Sequence, residues 1–354
     1  PGGEIELPLP RVNIAERLYR ITGGGRLTHR KIAGKEFVEL PSGGNPDVFG
    51  CDSVLSAVYQ GKLFWIWGDT NRHAYPLGNF HASAATSILP HKGGRAPNQG
   101  VDLHYFVDEN GFAKGVARMP GDGPTWLSAL VTLPHGAGQE RLCASYVKIR
   151  NFLDVYERGL CVFDPDKQAF EKVHVFPDLD GPFPDGHATV WKDRVYFGQA
   201  TPNLSIAATY EAWLDPSTYK TIESDIGFKD ADDGKGIKAH HGHFTWNEYR
   251  KCWVSIFTRN GGPFGPLSDV YYAEAPTPQG PWRKAVKIIT HDEYTFYNPA
   301  QHPWFSDADE AVLYLEGTFS KQFSKTQVGV PRYDYNQIMY RLKLDHPALD
   351  VRKE

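Results

Sequence analysis

One recurring pattern restricts the fold of this chain more than any other feature. An alternating apolar stretch meets a short polar turn, and a second apolar stretch follows and ends on a polar residue. "DSVLSAVYQGKLFWIWGDT" (52–70) turns at Gln60-Gly61-Lys62, and "WLSALVTLPHGAGQERLCASYVKIR" (126–150) turns at 136–139. "GHATVWKDRVYFGQA" (186–200) turns at Lys192-Asp193, "HGHFTWNEYRKCWVSIFTR" (241–259) at 247–250, and "NPAQHPWFSDADEAVLYLEGTFS" (298–320) at 306–310. These are hairpin signals. A third strand is expected after each, in "HASAATSIL", "RGLCVFDP", "ATYEAWLDP", "SDVYYAEA" and "YNQIMYRLKL", and a weaker fourth after most. Five units spaced by roughly 55 residues predict an all-β protein, a five-bladed β-propeller with four-stranded blades around a central channel. No helical pattern of about 10–15 residues separates the strands, which argues against an α/β fold. The chain 1–354 is read as one such domain, with the N-terminal segment 1–40, which contains "RLYRITGGGRLTHRKIAG", closing the ring on the last blade.

Composition agrees with many short strands: 9 Trp, 18 Tyr and 20 Phe favour strands, and 35 Gly and 26 Pro mark turns. Aromatic rings also stack on the CH-rich faces of sugars, although a large β protein needs aromatics for its core in any case. The 38 Lys and Arg against 42 Asp and Glu give a net charge of −4, so nothing points to nucleic acid or to an anionic membrane surface. No apolar run approaches the roughly 20 residues of a membrane-spanning helix. Cys51, Cys143, Cys161 and Cys252 are too few and too scattered for a disulfide framework, and free buried thiols are expected, with a Cys143–Cys161 pair as the alternative. The chain starts at Pro1 without a signal-like stretch, and processing before that point is expected. The oligomeric state is not indicated.

In a propeller, the start of each innermost strand and the end of the next one emerge on the same face. That rule gathers Asp52 and Asp69 from blade I, Lys148 and Arg150 from blade II, His187 and Gln199 from blade III, His241, His243 and Arg259 from blade IV, and Asn298, His302 and Glu316 from blade V at one mouth. Each has a plainer reading. Asp69 can cap a turn in "GDT", and Asp185 in "FPDGH" reads best as a turn residue. Glu316, in "LYLEGTF", repeats the Asp69 pattern or forms a structural ion pair. Asp52 opens a buried strand, where an unpaired carboxylate is costly. The histidines can fill the channel, bind sugar, move a proton, or hold a metal. No cofactor is expected. The alternative is a central divalent metal on His241 and His243 with a third ligand from another blade. "ITGGGRL" lacks the strand-helix context of a phosphate site, and "RNGGPFGPLSD" (259–269) reads as a long loop at the mouth.

Two motifs carry a resemblance. "YYAEAPTPQGPW" (271–282) resembles the segment that closes a blade in five-bladed glycoside hydrolases, the superfamily of arabinanases, β-xylosidases, arabinofuranosidases, levansucrase-like enzymes and anhydro-galactosidases. "FWIWGDT", with Asp69 lying 17 residues after Asp52, is similar to a five-bladed endo-D-arabinanase family in which two such aspartates are the catalytic pair. The resemblance implies hydrolysis of a glycosidic bond in a plant, algal or bacterial glycan, and hence a carbohydrate partner and a secreted or periplasmic protein. It implies Asp52 as base, Asp69 or Glu316 as acid, and inversion at the anomeric carbon. Trp67, Arg72, Trp126, Arg150, His187, His241, His243, Arg259, Asn298 and His302 would contact the sugar. The chain departs from the arabinanase pattern where histidines replace the expected Glu at the start of blades III and IV. A polysaccharide lyase working through His, Tyr and Arg, a phosphorylase and a non-catalytic sugar-binding propeller are the alternatives.

Overall fold

The computed structural model describes residues 11–23, 46–72, 78–151, 153–262, 266–291, 293–324, 326–329 and 334–351. Five four- or five-stranded sheets follow one another along the chain, and a two-stranded sheet, Val48–Cys51 with Thr70–Arg72, flanks the first. Their innermost strands are Leu55–Tyr59, Thr125–His135, His187–Trp191, Ala239–Asn247 and Thr295–Gln301. The hairpin partners Lys62–Trp67, Gln139–Arg150, Arg194–Gly198, Cys252–Arg259 and Val312–Ser320 come next in each blade, as expected from the turns.

Period-2 alternation makes each blade apolar on both faces. Val195 and Phe197 face Leu160 and Val131 of blade II, whereas Tyr196 between them faces Trp253 of blade IV. There are five apolar clusters, each bridging one pair of neighbouring blades, including the pair formed by the last blade and the first. A linear stack of five sheets would have only four such interfaces, so the fifth closes a ring. The strand Glu16–Arg20 pairs with Asn336–Lys343 and completes blade V, so the first and last described strands share one sheet. Residues 1–10 and 24–40 of the expected closing segment lie outside the described residues.

Two details differ from expectation. Blade IV has a fifth strand, Ile226–Asp230, parallel to its outer strand Trp282–Ile289. In blade III, "ATYEAWLDP" contains a short helix, Tyr210–Leu214, and the third strand is the preceding Pro202–Ala207. Thr209 caps that helix by accepting a hydrogen bond from Ala212 N, and Trp213 is buried in the cluster between blades II and III. Capping and one buried anchor override the β-favouring aromatics there. All four cysteines are free and buried. No described helix is long and apolar enough to cross a membrane.

Candidate active site

Where the strand Val48–Cys51 pairs with Thr70–Arg72, three hydrogen bonds tie Asp52 to Gly68 and Asp69: Gly68 N to Asp52 O at 2.8 Å, Asp52 N to Asp69 O at 3.2 Å, and Asp69 N to the Asp52 Oδ1 at 2.8 Å. Gly68 is required by this approach, because a Cβ there would lie 2.4 Å from Asp52 Oδ1. Asp52 and Asp69 therefore sit side by side, both half-buried.

Four residues from other elements complete their surroundings. The Tyr297 hydroxyl of blade V donates to Asp52 Oδ2 at 3.3 Å, and Tyr335 lies close enough to favour the ionised form of this carboxyl. The Trp126 indole of blade II lies close enough to Asp69 to favour its ionised form, and Asn298 of blade V donates to the hydroxyl of Ser53, next to Asp52, at 2.7 Å. Burial raises Asp52 to about 7, the neighbouring Asp69 charge adds to that, and the tyrosine and backbone donors oppose it. Burial raises Asp69 to about 6 against the opposing influence of the Trp126 indole. Asp69 Oδ1 is buried without a protein hydrogen-bond partner.

A repeated backbone device aims these residues. The innermost strands of blades II, IV and V each carry one extra residue, between Ser128 and Val131, Ala239 and Gly242, and Tyr297 and Ala300. Such bulges re-aim side chains at sheet rims. In blade IV the bulge lets the consecutive His240 and His241 stack at 4.1 Å, where a regular strand would point them to opposite faces. In blade V the bulge holds Asn298 at φ +49, where its amide bridges His241 Nδ1 at 2.7 Å and Ser53. Ser53 is itself at φ +50, so two adjoining side chains stand on left-handed backbone. On the opposite arc, Asp185 accepts from Ser128 at 2.7 Å and from Gln199 at 3.0 Å. All five blades thus contribute polar groups to one partly exposed mouth.

The expected site residues divide accordingly. Asp52, Asp69, Trp126, His241 and Asn298 come together. His187 lies beneath them, buried and stacked on His243 at 4.4 Å, with burial pushing it down to about 3. His243 does not reach the mouth. Its Nδ1 accepts from Gln301 N at 3.0 Å, its Nε2 lies 3.5 Å from Thr189 Oγ1, and burial holds it neutral. His302 is 1% exposed, packed between Trp65 and Phe305. Glu316 is 0% exposed, in the middle of its strand opposite Ala300, with His302 Nε2 at 3.4 Å. The matching of "LEGTF" to "WGDT" misplaced it, because blade V's second strand runs on to Ser320, four residues beyond Glu316.

Trp67 is 0% exposed and stacked on Trp65, so it is core and no sugar platform. Arg72 lies over Phe112 at 4.4 Å and beside Asp47 at 3.6 Å. Arg150 turns outward to Asp154 at 3.0 Å, and Arg259 reaches Tyr271, towards the outer strands of its blade. Residues 263–265 of the expected mouth loop lie outside the described residues. Tyr297, Tyr335, Ser53, Ser128 and His240 went unrecognised, and Asp185 was read as a turn. A short-range signal existed for three of them: Ser53 follows Asp52, Tyr297 precedes Asn298 and His240 precedes His241. Among the described residues, no three His, Cys, Asp or Glu are placed to hold a metal.

No protein-family model matches the chain, and no curated protein matches it either. Solved structures do. A Bacteroides ovatus protein described as a candidate hydrolase aligns with a TM-score of 0.52 at 12% identity, over 84% of this chain and 87% of that one. A β-xylosidase/α-arabinofuranosidase from a compost microbial metagenome aligns at 0.43 and 12%, over 76% and 86%. An exo-β-1,3-galactanase of Phanerochaete chrysosporium aligns at 0.46 and 9%, over 92% and 63%. The chain is a five-bladed β-propeller. At these identities the propeller fold is what is shared, and the mouth of this propeller has to be read from its own residues.

Proposed function

We propose that this propeller hydrolyses glycosidic bonds in a polysaccharide or oligosaccharide, with Asp52 and Asp69 as its catalytic pair. One observation carries the reading: two carboxyl groups, tied by the Asp69 N–H, are both raised towards neutrality at a partly exposed mouth. Two titratable groups with separated proton affinities are what acid and base roles require. Asp52 is the harder to ionise, so it keeps the shared proton and delivers it to the leaving oxygen. Asp69, ionised and with Oδ1 unpartnered, activates the attacking water. This exchanges the roles expected from the sequence. Trp126 offers a half-buried ring for a sugar face, and His241 and Asn298 offer hydroxyl contacts. Such a substrate goes with a secreted or periplasmic location.

The deciding experiment incubates the protein with a panel of plant, algal and bacterial glycans in isotopically labelled water and weighs the products. Fragments that carry one labelled oxygen support hydrolysis. Unsaturated fragments without added water indicate a lyase, and intact glycans retained by the protein indicate a binding module. Either result removes the proposal.

A further inference from the structure

The crossover from blade I to blade II, residues 119–125 (MPGDGPT), reaches the strand register only at Thr125, and Trp126 follows directly. Every carbonyl from Met119 to Pro124 is nonetheless bound by blade II. Lys148 Nζ donates to Met119 O at 3.3 Å, Gly121 O at 3.1 Å and Gly123 O at 2.9 Å, with Thr125 Oγ1 at 3.3 Å. The alternate carbonyls go to other groups: Pro120 O to Lys172 Nζ at 3.2 Å, Asp122 O to the Tyr156 hydroxyl at 2.7 Å, and Pro124 O to Ile149 N at 3.2 Å.

Satisfaction of hydrogen bonds does not explain this. Residues 121–123 are exposed, and water would serve their carbonyls. Lys148 is 0% exposed, and withdrawing an ammonium from water is costly. What the arrangement does is fix a path that glycine and proline leave undetermined. The fit is close: a Cβ on Gly121 would lie 2.7 Å from the Tyr156 hydroxyl, and one on Gly123, at φ +70, would lie 2.0 Å from Ile149 O.

We propose that this cradle holds the Trp126 indole against Asp69, which makes Lys148 a positioning residue for the proposed catalytic pair. Its effect on turnover rests on the reading of Asp69 given above, whereas its effect on Trp126 and on the Asp69 carboxyl does not. Lys148 acts by holding the crossover with its ammonium, through three carbonyls and the Thr125 hydroxyl, so an amine supplied from solution can replace it.

The test follows the Asp69 carboxyl by 13C NMR titration in the substrate-free protein. Trp126→Phe removes the donor that favours the ionised form, so the midpoint rises. Lys148→Ala raises it in the same direction, the double variant adds no further rise, and propylammonium, which replaces the missing atoms, restores the wild-type midpoint where sodium does not. Turnover in Lys148→Ala falls on the order of ten- to a hundredfold, as expected for a misplaced site. If Lys148→Ala does not fold, Lys148→Gln keeps two donors and gives a smaller rise. A midpoint unchanged in a folded Lys148 variant, with only the melting temperature lowered, overturns the proposal, as does a midpoint that Trp126→Phe leaves in place. A shift in the carboxyl without any hydrolysis to affect would leave the cradle standing and remove the hydrolase reading alone.

Discussion

The backbone N–H of Asp69 donates to Oδ1 of Asp52 across 2.8 Å, so one member of the acidic pair is anchored by the chain of the other. This allows the pair to be dissected chemically. Asp52→Asn keeps the acceptor oxygen for that N–H and is expected to fold normally. It should lose several orders of magnitude in turnover on natural glycosides, but retain much more activity on aryl glycosides whose leaving group needs no proton. Asp69→Asn should lose activity on both substrate types. The opposite pattern would assign the acid role to Asp69.

Asp52 and Asp69 are raised to about 7 and about 6 from an ordinary value near 3.8. Activity needs one proton on the pair, so a narrow bell between those values is expected, and initial rates across pH 4–9 check it. The sign for stability follows from linkage. A carboxyl raised by folding binds more protons folded than unfolded, so its favourable contribution is complete below about 4 and disappears as pH rises through 6–7. Asp52→Asn lacks this loss. Its melting temperature should gain on the wild type as pH rises from 4 to 8, by the equivalent of a few kcal/mol. The buried neutral His187 and His243 act in the opposite sense on acidification, but they are common to both proteins and cancel in the difference.

The φ of Gly68 is not left-handed, so the backbone there suits any residue, yet its absent Cβ faces Asp52 Oδ1 at 2.4 Å. Gly68→Ala should therefore push the two carboxyls apart. Turnover is expected to fall at least tenfold, with a melting temperature within a few degrees of wild type. A variant of normal activity would mean that the pair tolerates separation.

The ring was legible because its cause is local. Alternation of period 2 and polar turns such as Gln60-Gly61-Lys62 mark each hairpin, and five repeats leave few ways to bury sheets that are apolar on both faces. The pairing of Asp52 with Asp69 was legible for the same reason, since one hairpin joins them. What failed depended on depth. Trp67 and Asp69 are two residues apart, yet one is core and the other lines the mouth. His243, His302 and Glu316 were placed at the rim by strand position, and their strands carry them below it. The bulges that aim His241 and Asn298 insert one residue each and have no reliable local signature. Tyr335 and Lys148 act across blades or through backbone, and spacing along the chain does not encode such contacts.

Glu316 and Trp67 turn that distinction of depth into a final test. Glu316 is enclosed, and burial raises its pKa, so it is best accommodated as a neutral acid. Glu316→Gln preserves that neutral shape. It should keep turnover within about threefold and match or exceed wild-type stability at pH 8, where the wild type bears the strain of ionisation. Trp67→Ala opens a cavity in the cluster between blades V and I and should cost about 3–5 kcal/mol in denaturant unfolding, with little change in KM for the protein that remains folded. Trp126→Ala should behave in reverse, with a raised KM and modest destabilisation, because its ring lies at the mouth. A hundredfold loss of turnover in Glu316→Gln would return Glu316 to the catalytic machinery and overturn the pairing of Asp52 with Asp69 as sufficient.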